Sequence, residues 1–384
     1  MKYPMFKVHI NTDDALRQLE PVLNSGFVNE GEQVTELTDY FKNWFNHEQT
    51  ISLNSCTSAL TLALKLSDVG PEDEVIATSM TCVASNTPIH TFGAKVVWAD
   101  IDHRTGNINP DKIEELITPK TKALLCVNWS GLPCDLERIY DICEKNNIKF
   151  IQDAAHSIGA EYNGKQVHHF AHYTCYSLQA IKHITTGDGG LLVVNTDEKE
   201  FQRAKALKWF GIDRDATKDE KGEWKGQRWE MDVVEAGFKF HMNNITAAIG
   251  LSQIPYINDI IDSHKNNGLL YEEIFSDKMF VKGLDYPSQS KPTFWVYTAI
   301  LSEHLDRDKI LQELNDEGIN AGVVHVPNHY YTCFKDSFKE LPETDYFNKH
   351  QISLPCGWWL DENDINHIAN SLLEKCEKNS IIRK

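Results

Sequence analysis

The 384-residue chain has no run approaching about 18 consecutive apolar residues, so a membrane-spanning helix is not expected. Its opening, MKYPMFKVHINTDD, has no apolar core of the signal-peptide kind. Basic residues are scarce, with 38 Lys and Arg against 56 Asp and Glu, a formal charge of -18. That balance argues against nucleic-acid binding, which needs a basic footprint. The nine cysteines contain no CxxC pair and no short secreted framework, which predicts reduced thiols and a cytoplasmic location. With 21 Gly and 13 Pro and no biased tract, neither low-complexity nor collagen-like structure is expected.

What is present is alternation. TISLN (50–54), DEVIAT (73–78), AKVVWADI (94–101), KALLCVNW (122–129), IKFIQDA (148–154), YTCYSL (173–178) and GLLVVN (190–195) read as buried strands. TSALTLALKL (57–66), DKIEELIT (111–118) and LERIYDICEKNN (136–147) read as helices between them. The pattern predicts an α/β fold: a large domain over residues 1–254 with a mainly parallel seven-stranded sheet flanked by helices, and a smaller α+β domain over 255–384. In the second part KPTFWVYTAIL (291–301) and INAGVVHV (319–326) read as strands, RDKILQELNDEG (307–318) as a helix stopping at Gly318, and 361–378 as a terminal amphipathic helix. Residues 213–232 are charged and aperiodic, a long loop that is either inert or a lid.

Ligands of such sheets sit beyond the carboxyl ends of the strands. Three segments there carry chemistry. In SLQAIKHITTGDGGLL, Lys182 follows a strand end over an apolar floor, where desolvation would lower its pKa and make a nucleophilic amine. In IKFIQDAAHS, Asp153 ends a nearly wholly apolar strand and demands a partner, such as a protonated pyridine nitrogen; the bland alternative is a helix or turn cap. In SLNSCTSAL, Thr57 and Ser58 open a helix whose N-terminus suits a phosphate, although Ser and Thr there are commonly plain caps. Pyridoxal 5'-phosphate (PLP) meets all three demands together. VHHFAH, with His168, His169 and His172, offers a metal-binding alternative, but neither a helical pattern nor acidic or thiol partners support it, and no metal is expected.

NSCTSAL, GLPCDLERI, QDAAHSIGA, SLQAIKHITTGDGGLL and GFKFHMNNITAAIGLSQI, in this order, resemble the DegT/StrS-type sugar aminotransferases of the fold type I PLP enzymes. The resemblance covers nearly the whole chain. It implies that Lys182 holds the cofactor covalently, Asp153 binds its ring nitrogen, and Thr57, Ser58 and Ser177 hold its phosphate. His156 would lie beside the ring where the family more often has Gln. Cys82 stands where an aromatic residue commonly stacks on the ring, Cys56 where Gly precedes the phosphate turn, and Lys239 where Asn commonly reaches the partner subunit's phosphate. The implied reaction is ping-pong transfer of an amino group from glutamate to a nucleotide-linked keto-deoxysugar, with a 4-keto-6-deoxyhexose favoured, in a homodimer whose sites lie at the interface. Arg214, Lys225, Arg228 and His329 are candidates for the pyrophosphate. Two other readings stay within the family: a sugar dehydratase, in which histidine replaces the lysine, and a catalytically idle regulatory relative.

Overall fold

The computed structural model describes residues 1–214 and 231–381. All seven expected strands form one sheet: β1 (Thr50–Leu53), β2 (Glu74–Thr78), β3 (Lys95–Ala99), β4 (Thr121–Val127), β5 (Lys149–Asp153), β6 (Tyr173–Ser177) and β7 (Gly190–Val194), in the order β1-β7-β6-β5-β4-β2-β3. Every pairing is parallel except those of β7, which runs antiparallel to both β1 and β6. The apolar runs arise because both faces are covered. Ala123, Leu125 and Val127 of β4 join Leu60 and Leu64 of α3 (Cys56–Leu66) on one side. Leu124 and Cys126 join Leu37 and Phe41 of α2 (Glu32–Phe45) and Ile139 of α5 (Leu136–Asn146) on the other. Alternation with a period of two thus feeds two cores at once.

A second, three-stranded sheet takes Val281–Gly283, Tyr297–Leu301 and Gln351–Leu354, with Tyr297–Leu301 in the middle. The helices Ile257–Phe275, Arg307–Asp316 and Glu362–Ile381 surround it. Its core also includes Tyr3, Met80 and Trp129 from earlier in the chain. The N–H groups of Lys2 and Tyr3 both donate to the Gly318 carbonyl, at 3.0 and 2.9 Å, which ties the N-terminal segment to this region.

Three expectations fail locally. Residues 111–118 form two short 3-10 turns, Pro110–Lys112 and Glu114–Leu116, because Ile113 is the one side chain there to reach full burial and Pro119 follows within a turn. Residues 319–326 form no strand. They touch neighbours through isolated bridges, Tyr3 to Ile319 and Gly322 to Ser353. The 291–301 strand is split, since Phe294 adopts φ 45° and packs where Gly268 leaves room; a Cβ on Gly268 would lie 2.2 Å from the Phe294 ring. Among the described residues no helix is long and apolar enough to cross a membrane.

Candidate active site

The lysine segment is a closed turn between β6 and β7. Leu178 donates from its backbone to Gly189 and accepts from Thr186, both at 2.9 Å. The Thr186 hydroxyl donates to the Asp188 carbonyl (2.8 Å), and Gly187, at φ 83°, takes the left-handed conformation that the reversal needs. TTGDGG is therefore a turn whose own side chains hold it shut, and it fixes the Lys182 backbone (N–H to Gln179 carbonyl, 3.0 Å) over the sheet.

Lys182 is half-buried, and burial lowers its pKa to about 8, with Asp153, Cys56 and Cys82 pulling the other way. Asp153 ends β5 and is buried. One carboxylate oxygen accepts from the Ser85 hydroxyl (2.7 Å), the other from the Ala155 N–H (3.0 Å). Burial raises its pKa, while Ser85, Ala155 and the Lys182 charge oppose the rise. A carboxyl in that state gains from a cationic ring nitrogen, as the PLP reading requires. The Cys56 thiol is pushed far up by burial, leaving it a protonated neighbour.

Beyond β1 the chain enters α3 with Ser55 as N-cap, its hydroxyl accepting from the Ser58 N–H (3.0 Å). Ser58 donates its own hydroxyl to Asn54 (2.6 Å), so it serves the capping network. Thr57 is exposed on the first turn. Ser177 lies in register with Gly190, and a Cβ on Gly190 would sit 2.5 Å from the Cys56 backbone nitrogen. Ser177, Gly190 and the α3 N-terminus are thus pressed together, and only glycine lets the strand come so close. The exposed threonine, the buried serine and the helix dipole form a donor set that fits a phosphate. Gly190→Ala is expected to cost about 1–3 kcal/mol of stability through overpacking and to weaken PLP retention. Thermal melts and cofactor titration check both, and unchanged values in each would remove the cradle from the account.

His156 is buried, and its ring lies 3.9 Å from that of Trp295 at 14°. Burial and the Lys182 charge drive its pKa well down, so the imidazole is neutral. Its Nδ1 is a buried atom without a protein partner, as is His325 Nε2. Each such atom costs about 1–3 kcal/mol if left so, and a bound ring or substrate beside Lys182 would supply partners. Cys82 caps the N-terminus of α4 (Val83–Thr91), half-buried, within electrostatic range of Lys182. Lys239 lies where the chain runs beside α3 of its own subunit. The Asn54 N–H donates to the Phe240 carbonyl (2.7 Å), and the Lys239 side chain is exposed.

The pyrophosphate candidates fare differently. His329 is 1% exposed and shares a 2.6 Å hydrogen bond with the Ser79 hydroxyl, so it is a packing residue. Arg214 donates to Glu30 (2.9 Å). Lys225, Arg228 and most of the suggested lid lie outside the described residues. The histidines of VHHFAH have structural tasks. His172 accepts from the Phe150 N–H (3.0 Å) and meets Glu144 at 3.0 Å, and buried His168 packs on Phe45. Ser85, Trp295 and His325 were not legible as site residues, since none lies in a segment whose local pattern differs from ordinary core; Gly190 lies in TTGDGG, but its close approach to the α3 N-terminus is a tertiary contact.

The chain is similar to known proteins over nearly its full length. The model of the DegT/DnrJ/EryC1/StrS aminotransferase family matches residues 9–373. The chain is 30% identical over 384 residues to the UDP-4-amino-4-deoxy-L-arabinose--oxoglutarate aminotransferase of Shewanella sediminis, covering 97% of each. Its fold is similar to that of AtS13 from Actinomadura melliaura (31% identity, TM-score 0.89, 97% of this chain and 98% of that one). It is also similar to Spr1654 from Streptococcus pneumoniae in its PLP form (26% identity, TM-score 0.88, 98% and 99% covered), which is known in a PMP form as well. A sheet of this order, a lysine and an acid at its carboxyl edge, and a match over nearly the full length lead to one conclusion: the chain belongs to the DegT/DnrJ/EryC1/StrS aminotransferase family and is a PLP-dependent sugar aminotransferase.

Proposed function

We propose that the protein moves an amino group from glutamate to a nucleotide-linked keto-deoxysugar, with a 4-keto-6-deoxyhexose favoured, and that its working unit is a homodimer divided in each subunit into residues 1–254 and 255–384. The observation that carries the chemistry is the placing of Lys182, just beyond the end of β6, beside the buried carboxyl group of Asp153 at the end of the adjacent, parallel β5. When bound, the cofactor supplies an aldehyde carbon for the donor's nitrogen and a protonated ring that draws electrons from the bond to be broken.

The chain's residues do the rest. Asp153, kept from bulk water by β5 and α4 and oriented by Ser85 and Ala155, holds the ring-nitrogen proton. Thr57 and Ser177, with the N-terminus of α3, hold the phosphate, and Ser58 keeps that turn in shape. His156, neutral, and Cys82 would be neighbours of the bound ring. Lys182 Nζ, uncharged above about pH 8, would take the proton from the donor's α-carbon and return one to the carbon that was the cofactor's aldehyde, two atoms further on. The keto acid leaves before the sugar enters, and Lys182 then works in reverse. Lys239 is exposed, as a residue serving a second subunit's phosphate would have to be.

The test is a half-reaction screen. Enzyme carrying the amino form of the cofactor is offered nucleotide-linked 4-keto and 3-keto sugars, with 6-deoxy and 6-hydroxy versions of each. Return of the aldehyde spectrum with the 4-keto-6-deoxy compound is expected; a response confined to 3-keto or non-nucleotide sugars overturns the substrate assignment. A clean monomer by sedimentation, fully active, overturns the dimer.

A further inference from the structure

Lys182 Nζ does not point at open solvent. It lies 3.6 Å from the centroid of the Trp295 ring, a distance at which the negative face of an indole attracts an ammonium group. Trp295 is 2% exposed and held on several sides. Its Nε1–H donates to the Ile181 carbonyl (2.8 Å), the residue just before the lysine. His156 lies nearly parallel to it, Phe6 stacks at 4.9 Å and 24°, and His325 lies 6.3 Å away at 20°. The backbone is fixed as well, since the Trp295 N–H donates to the Ser130 carbonyl at 2.8 Å, next to the strained Phe294. An indole held in this way is hindered from turning aside, and the amine that meets it is that of Lys182.

We infer that Trp295 is a positioning residue: its indole face is the seat that receives the Lys182 side chain whenever the cofactor carries the amino group and the lysine is free. The inference rests on the proposed covalent role of Lys182. A four-carbon side chain released from its bond has many rotamers and would otherwise have to be recovered from water for each proton transfer. The seat keeps it within the site and, by attracting the cation, holds back part of the fall in pKa that burial imposes. The charged and titratable groups around this amine are Asp153 from β5, Cys56 at the start of α3, Cys82 at the start of α4, and the histidines 156, 183 and 325. The three histidines are neutral through burial, so the indole adds to the attraction that Asp153, Cys56 and Cys82 exert on the cation.

The test uses the full chain loaded with the amino form of the cofactor, in which Lys182 is unbonded. Its reactivity toward a limiting amount of acetic anhydride is followed by peptide mass mapping from about pH 6 to 10. Trp295→Leu is expected to lower the midpoint by about half to one pH unit, roughly a 3–10-fold change in the amine-to-ammonium ratio. Trp295→Phe, which keeps an aromatic face and most of the volume, is expected to fall between Leu and the wild type. A purely structural tryptophan predicts the same loss of stability from both variants and no graded movement of the midpoint. Midpoints equal to the wild type, or higher, in both variants overturn the seat. A borohydride-treated PLP enzyme separates the two ideas. If the Lys182 peptide carries no reduced cofactor, the covalent role and the seat fall together. If it does, with unmoved midpoints, the seat alone falls.

Discussion

Lys182→Ala is expected to reduce turnover by at least about 10⁴-fold, the upper range for a positioned proton-transfer group, and to abolish the near-visible band of the PLP-loaded enzyme. The expectation follows from geometry. Among the groups close to Asp153, Lys182 is the amine, and burial has already brought its pKa down to about 8, so a useful fraction is nucleophilic near neutrality. Small exogenous amines should restore part of the proton transfer, since the deletion opens a space of the side chain's size. The measurement is single-turnover absorbance with glutamate, with and without methylamine. A variant that retains the band and more than about a tenth of the rate would remove Lys182 from the mechanism.

Asp153→Asn comes next. The amide nearly matches the carboxylate in shape, so Ser85 and Ala155 keep a partner, and the fold should survive. What disappears is the negative charge, and with it the means of keeping a ring nitrogen protonated in a buried place. A loss of about 10²–10³-fold in kcat is expected, comparable to removing one preorganised electrostatic group from an active site, together with faster loss of cofactor on dialysis. Ser85→Ala serves as the comparison. It removes one neutral donor, and its effect should be several-fold at most, in the range of a single hydrogen bond to a charged group. Near-normal turnover in Asp153→Asn would mean that the acid is only the cap of the turn that follows.

The large sheet could be read from the sequence because each of its strands is buried on both faces, and such strands write themselves as apolar runs. Lys182 and Asp153, proposed as the amine and its acid, also stand out in the sequence, each following such a run and next to residues that make a turn. Reading failed where backbone geometry is set by distant partners. Residues 319–326 look like a strand by composition, yet Tyr3 and Ser353 claim their backbone groups singly. Trp295 lay inside an expected strand. Its place beside Lys182 depends on the reversal at Phe294, which is enforced by Gly268 from a helix and by the carbonyls of Ser130 and Gly131. No local pattern encodes those contacts. Ser85 is similar, since nothing in MTCVAS announces that its hydroxyl will meet an acid 68 positions later.

The antiparallel strand β7 has a mechanical consequence. The lysine-bearing turn does not lead out of the sheet into a helix, as crossovers do; both of its ends are gripped by adjacent strands inside the sheet. The anchorage of the amine therefore breathes only when the whole sheet does. The two reactants proposed for the site differ in bulk and must nevertheless take turns beside it. The irregular walling, such as the unstranded stretch 319–326 and the N-terminal strap bound to it, is the part expected to yield to the larger one, while the floor stays still.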